Sequence, residues 1–187
     1  RLTATIASHY HRDHTDGIPT LQKRFGTRAC LHPWVARPIA DRKRYDVPWL
    51  PAMDIRADER LPERGRWRWN EYVFRVAPFP GQTWWHAAYQ TSIDGVKVFF
   101  GGDNFQPNSR WNGTGGYCSY NGSRFREGFV KSARLVIDWA PDLLCNGHGC
   151  FFTFRPSRFR KIEKWALRTE SAIRDLCPSG DLEKDYY

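Results

Sequence analysis

The six residues from His9 to His14 hold three histidines and one aspartate, in the order His9, His11, Asp13 and His14. That density is hard to explain as core or surface filler, and the spacing says how the side chains could be used. On an extended chain, residues two apart leave the same face, so His9 and His11 can hold one ion. Asp13 and His14 follow where the chain turns toward a helix, so they point elsewhere and are available to a second ion nearby. Imidazole nitrogens and carboxylate oxygens are ligands that divalent zinc accepts. A mixed His and Asp set with water completing the shell suits a catalytic site, whereas a closed structural site usually draws on Cys.

The flanking text places this cluster in a strand, loop, helix unit. Residues 2–7 read as a strand that delivers the cluster at its end. Asp16 to Phe25 reads as a helix capped by Asp16, with Ile18, Leu21 and Phe25 on one face and Gly26 ending it. From Cys30 to Gly65 the chain is rich in Pro, Arg and Asp and reads as irregular connection with one short helix. Trp67 and Trp69, then Tyr72, Phe74 and Val76, alternate as strands do, and Val96–Phe100 forms a further strand after an Asp94-Gly95 turn. Residues 106–124 are dense in Asn, Gly and Ser and read as a long surface loop. Phe125, Phe129, Ala133, Val136, Ile137 and Ala140 make a helical stripe ended by Pro141, Leu143-Leu144-Cys145 a short strand, and Pro156 to Leu176 a last helix with Phe159, Ile162, Ala166 and Ile173 on one side. Strands alternating with helices place the chain in the α/β or α+β class.

Composition sets outer bounds. With 187 residues, 41% hydrophobic and 16% aromatic, the chain is long enough for one domain with a real core. No run approaches the ~18 to 20 apolar residues of a membrane helix. The chain starts at Arg1 without Met or a signal-like run, so its natural start is expected to lie upstream, and no compartment is read beyond a cytoplasmic default. The five cysteines, Cys30, Cys118, Cys145, Cys150 and Cys177, contain no CxxC pair and read as small buried hydrophobes. A net charge of +9 favours anionic partners, although much of the excess lies in two runs, Lys23–Arg44 and Arg155–Arg168, of the kind that usually form solvated faces.

These features together resemble the metallo-β-lactamase superfamily, whose signature is HxHxDH after a strand and before a helix. His9, His11, Asp13 and His14 match it in full. Three further landmarks follow in the family's order. Phe79-Pro80-Gly81-Gln82-Thr83 looks like the PGHT segment, Phe100-Gly101-Gly102-Asp103 like the strand-end Asp that bridges two metals, and Asn146-Gly147-His148-Gly149 like the final GHG. The resemblance implies an α+β fold, the four-layer αββα metallo-β-lactamase sandwich, as a single domain over residues 1–187. The family's first half normally supplies several strands before HxHxDH, and only eight residues precede His9 here. The chain is therefore expected to be a fragment, or to receive those strands from a partner.

The resemblance further implies two divalent metal ions, zinc foremost with manganese or iron as alternatives. His9, His11 and His86 would hold the first, Asp13, His14 and His148 the second, and Asp103 would bridge them. One departure bears on this assignment: Gln82 stands where the family has a histidine, and His86 arrives four residues later. Either His86 substitutes, or Gln82 or water completes a weaker site, or the first metal is lost. Two ions lower the pKa of a bound water toward ~7, so the implied reaction is hydroxide attack on a small ester, thioester, lactone or phosphoester, with Asp13 and Asp103 as the catalytic carboxylates. The bridging Asp resembles the glyoxalase, lactonase and phosphodiesterase branches and not the true β-lactamases. Trp84, Trp85, Trp111 and Tyr117 are the expected rim of a pocket for a small, anionic substrate. The rivals are a nuclease drawing on the basic surface, a mononuclear iron dioxygenase using His9, His11, Asp103 and one more His with Asp13 and His14 idle, and a non-catalytic metal-binding relative.

Overall fold

The computed structural model describes residues 1–105, 124–148 and 151–185. The loop aromatics Trp111, Tyr117 and Tyr120, together with Cys118, Gly149 and Cys150, lie outside them. Strand β1 (Ala4–Thr5) leads through the His cluster into helices α1 (Arg12–Thr15) and α2 (Ile18–Phe25), then β2 (Arg28–Leu31), α3 (Pro33–Ala40) and β3 (Glu59–Arg60). The three strands form a parallel sheet in the order β1-β2-β3. Strands β4 (Gly65–Trp69), β5 (Tyr72–Pro78), β6 (Ala87–Ile93), β7 (Val96–Phe100), β8 (Leu143–Cys145) and β9 (Phe151–Thr153) make a second sheet in sequential order. Only its β7–β8 pair is parallel. A π-helical turn (Phe125–Val130) runs into α4 (Lys131–Trp139), and α5 (Pro156–Leu176) and α6 (Leu182–Asp185) close the described chain.

Alternation along the six-stranded sheet explains its position. Val76 and Tyr89 belong to one apolar cluster with Ala29 and Leu31 of the parallel sheet and Val35 and Ile39 of α3. Their neighbours Ala77 and Ala88 belong to a second cluster with Phe99, Ala133 and Val136 of α4 and Phe159, Ile162 and Ala166 of α5. Successive residues thus face a sheet on one side and helices on the other. Burying a side chain such as Phe159 this completely is worth about 3–5 kcal/mol against Ala.

Several local expectations are corrected. Asp16 does not cap α2: Gly17 holds that position, and Asp16 Oδ1 accepts from Ala52 N at 2.8 Å. The helix does end at Gly26, in the left-handed region at φ 63, but Phe25 is 47% exposed and lies under the Arg24 guanidinium instead of in the core. The stretch from Cys30 to Gly65 holds the expected short helix, α3 with Pro38 inside it, but also the end of β2 and all of β3. No pattern in the sequence marks strand β6. Its first five residues are buried on both faces, so no polar alternation betrays it. Cys30 is buried, Cys145 and Cys177 partly so, and burial with the nearby Glu59 pushes the Cys30 thiol up to about 12, which leaves it unreactive.

Candidate metal centre

Strand polarity gathers the candidate ligands at one end of the molecule. His9 and His11 follow β1, Asp103 follows β7, and His148 follows the parallel β8. His86 precedes β6, which runs antiparallel to β7, so the start of β6 lies beside the end of β7. A single antiparallel bridge between His9 and His86, reinforced by Ala87 N donating to Ser8 O at 2.7 Å, joins the two sheets there.

Asp103 sits at the centre and is 4% exposed. Its Oδ1 lies 3.1 Å from His14 Nε2, and its Oδ2 lies 3.2 Å from His148 Nε2 and 3.7 Å from His9 Nε2. Burial alone would raise this carboxyl, but the hydrogen bond and charge of His14, with His148 and His86 behind, hold it down at about 2. Two sets of donor atoms each fall within 4.8 Å of one another: Asp13, His14, Asp103 and His148, and His9, His11 and Asp103. Asp103 is common to both.

His86 belongs to neither set. It stacks on His9 with ring centroids 4.8 Å apart and planes 6° apart, and both its ring nitrogens are buried without a hydrogen-bond partner. Burial pushes it down to about 3 and, with the neighbouring imidazoles, pushes His9 well below its usual range. His14 moves the other way: burial lowers it, but the hydrogen bond and charge of Asp103 and the charge of Asp13 outweigh that and raise it. His9 and His86 are thus buried, neutral imidazoles with ring nitrogens that no hydrogen bond satisfies, and such donors fit a divalent metal ion.

The surroundings orient these donors. Ser8 Oγ lies 3.1 Å from His9 Nδ1, which leaves Nε2 toward Asp103, the outer-shell arrangement that fixes an imidazole in a metal site. Gly147 has to lack a side chain, because a Cβ there would overlap Asp103 Oδ1 and the His14 ring, and a Cβ on Gly102, at φ 52, would overlap Ser8 and His86. Asn104, 3% exposed, escaped the sequence reading. Nothing in the text marks it except its place after Asp103, since its partners, Phe79 and Gln82, lie more than twenty residues away.

The two described aromatics expected at a substrate rim are engaged elsewhere. Trp84 stacks on Trp34 at 5.3 Å and lines a cavity of about 430 Å³ whose walls include no candidate ligand. Trp85 packs edge-on against Tyr10 and Tyr45 beside the first core cluster. A different cavity, about 340 Å³, reaches the centre at His14, Gly102 and Gly147 and is walled by Ile6, Phe74 and Phe100.

No protein-family model and no curated protein sequence matches the chain. Solved structures match it in shape. The metallo-β-lactamase TMB-1 is 18% identical with a TM-score of 0.66, the alignment covering 90% of this chain and 69% of that one. DIM-1 metallo-β-lactamase, in a crystal exposed to ceftazidime, is 16% identical with a TM-score of 0.65 over 90% and 69%. A metallo-β-lactamase from Pontibacter korlensis is 14% identical with a TM-score of 0.65 over 88% and 69%. The chain therefore has the metallo-β-lactamase fold. At these identities the likeness speaks to the fold alone. Among the described residues no helix is long and apolar enough to cross a membrane.

Proposed function

We propose that the chain carries the active centre of a metal-dependent hydrolase acting on a small ester, thioester, lactone or phosphoester. One observation carries this reading: the buried Asp103 carboxylate is shared by two compact donor sets. His9 and His11 would hold one ion, with His86 as the third imidazole, and Asp13, His14 and His148 the other, with Asp103 between them. Zinc is the best match to these nitrogens and oxygens. Bound there, two divalent ions would polarise a carbonyl or phosphoryl oxygen and make water acidic enough to supply hydroxide near neutral pH.

The residues divide the remaining work. Asp103, ionised across the working pH range, supplies negative charge at the centre. His9 and His86 stay neutral because they are buried. Asp13 and His148, with side chains 51% and 52% exposed, lie 3.3 Å apart at the open edge of the centre. A substrate arriving from solvent meets these two first, and Asp13 is the carboxylate placed to take the proton released by the attacking water and pass it to the leaving group.

The test is metal analysis of the purified protein together with a hydrolysis panel of p-nitrophenyl esters, thioesters, lactones, bis-p-nitrophenyl phosphate and a chromogenic cephalosporin. Two zinc or manganese ions per chain and turnover of an ester or phosphoester are expected, both abolished by Asp103→Ala. One iron per chain, no bound metal, or turnover of the cephalosporin alone would overturn the reading.

A further inference from the structure

The turn carrying Gln82 and the turn carrying Asp103 are locked together by three buried hydrogen bonds between side chains and their neighbours. Asn104 Oδ1 accepts from Gln82 N at 2.5 Å, and Asn104 Nδ2 donates to Phe79 O at 2.5 Å. Gln82 Nε2 donates to Asp103 Oδ2 at 3.1 Å. The orientation of both amides follows from their partners, because a backbone N–H only donates and a carbonyl or carboxylate only accepts. Gly81 lies so close to Asn104 that any Cβ would overlap its amide group.

Asn104 thus engages both ends of the 79–82 turn with one planar group, a task needing a donor and an acceptor on a short stem. Aspartate lacks the donor and leucine lacks both. Once the turn is held in this register, the Gln82 amide reaches the carboxylate oxygen that also faces His148 and His9. An amide N–H carries no lone pair for a cation, so the end of Gln82 turned toward the centre binds the carboxylate.

We propose that Gln82 and Asn104 form an amide clamp: two positioning residues that orient Asp103 and set the path of the Phe79–His86 turn, with Gln82 acting on the carboxylate and not as a metal ligand. The inference rests on reading Asp103 as the shared ligand, but its first test needs no metal.

In metal-free protein, amide hydrogen exchange followed by NMR should show the Gln82 N–H protected; Asn104→Ala should speed its exchange by roughly tenfold or more, and Asn104→Asp, which keeps the acceptor but loses the bond to Phe79 O, by less. Amides in α5 should keep their protection, which shows that the variants fold. Cobalt titration then separates the two roles of Gln82. A clamp predicts that Gln82→Ala binds as many ions as the unaltered chain with affinity reduced roughly 10- to 100-fold, as for outer-shell partners of metal ligands. An unchanged Gln82 exchange rate in Asn104→Ala would overturn the clamp, and so would a Gln82→Ala variant that saturates with fewer ions. If the unaltered chain binds no cobalt, the metal reading fails while the exchange result still decides whether the clamp exists.

Discussion

His9, His11 and Asp103 lie at 0%, 4% and 4% exposure, whereas the other donor set, built around the same Asp103, has Asp13 and His148 side chains about half open to solvent. The deep set is assembled by the sheets themselves, through the His9–His86 bridge and the stacked imidazoles. The outer set depends on a four-residue helix and on a turn in which Gly147 makes room for Asp103 and His14. Rigidity is thus concentrated where a donor cannot move without breaking the core, and access where a substrate can arrive.

The change that should erase this contrast is Asp103→Asn, which keeps the shape but removes the shared charge. Hydrolysis is expected to fall by ~10³ or more, the size of a loss of several kcal/mol of charge stabilisation, and metal analysis should show both ions weakened. His148→Ala should break only the outer set, leaving one tightly held ion per chain by mass spectrometry under native conditions. Gly147→Ala should weaken both sets, because the new methyl group displaces the shared Asp103 as well as His14. If His148→Ala emptied both positions, the two sets would not be separable.

A smaller effect concerns acid stability of the metal-free protein. His86 titrates near 6.5 when exposed and about 3 when folded, so between those pH values the unfolded chain binds a proton that the folded chain refuses. Its contribution to stability is full above 6.5 and is lost as pH falls toward 3. His14, raised by its carboxylate partners, works in the opposite sense. Denaturant midpoints should fall from pH 7 to pH 5 and fall less steeply in His86→Phe; equal slopes would mean that His86 is not the group responsible. The smallest effect is expected at Trp84, which stacks on Trp34 away from the ligands. Trp84→Ala should change kcat/KM by less than about threefold, under ~1 kcal/mol, and a larger drop would return that ring to the substrate pocket.

The same contrast runs through what the sequence disclosed. The HxHxDH spacing, the Asp94-Gly95 turn and the apolar stripe of α5 are local patterns, and each appears where the sequence puts it. Strand β6 is invisible in the sequence because Ala87–Thr91 is sandwiched between a sheet and helices, which removes the alternation that reveals a half-buried strand. Asp16 has a residue type favoured at helix starts, yet the Ala52 amide claimed it. Gln82 could be located as a departure from a motif, but its partner could not, because Asn104 acts across a turn closed only by the fold. The aim of Trp84 was equally illegible: adjacency in sequence to Gln82 and His86 does not decide which side of the loop a ring takes.

The shared carboxylate has a thermodynamic consequence. If filling the deep position alters the outer position's affinity by some factor, filling the outer position must alter the deep one's by the same factor. Two independent binding constants would then describe the centre poorly. A chain with one ion would be a distinct species whose population depends on metal supply, and the availability of zinc itself would act as a graded control on the fraction of competent molecules.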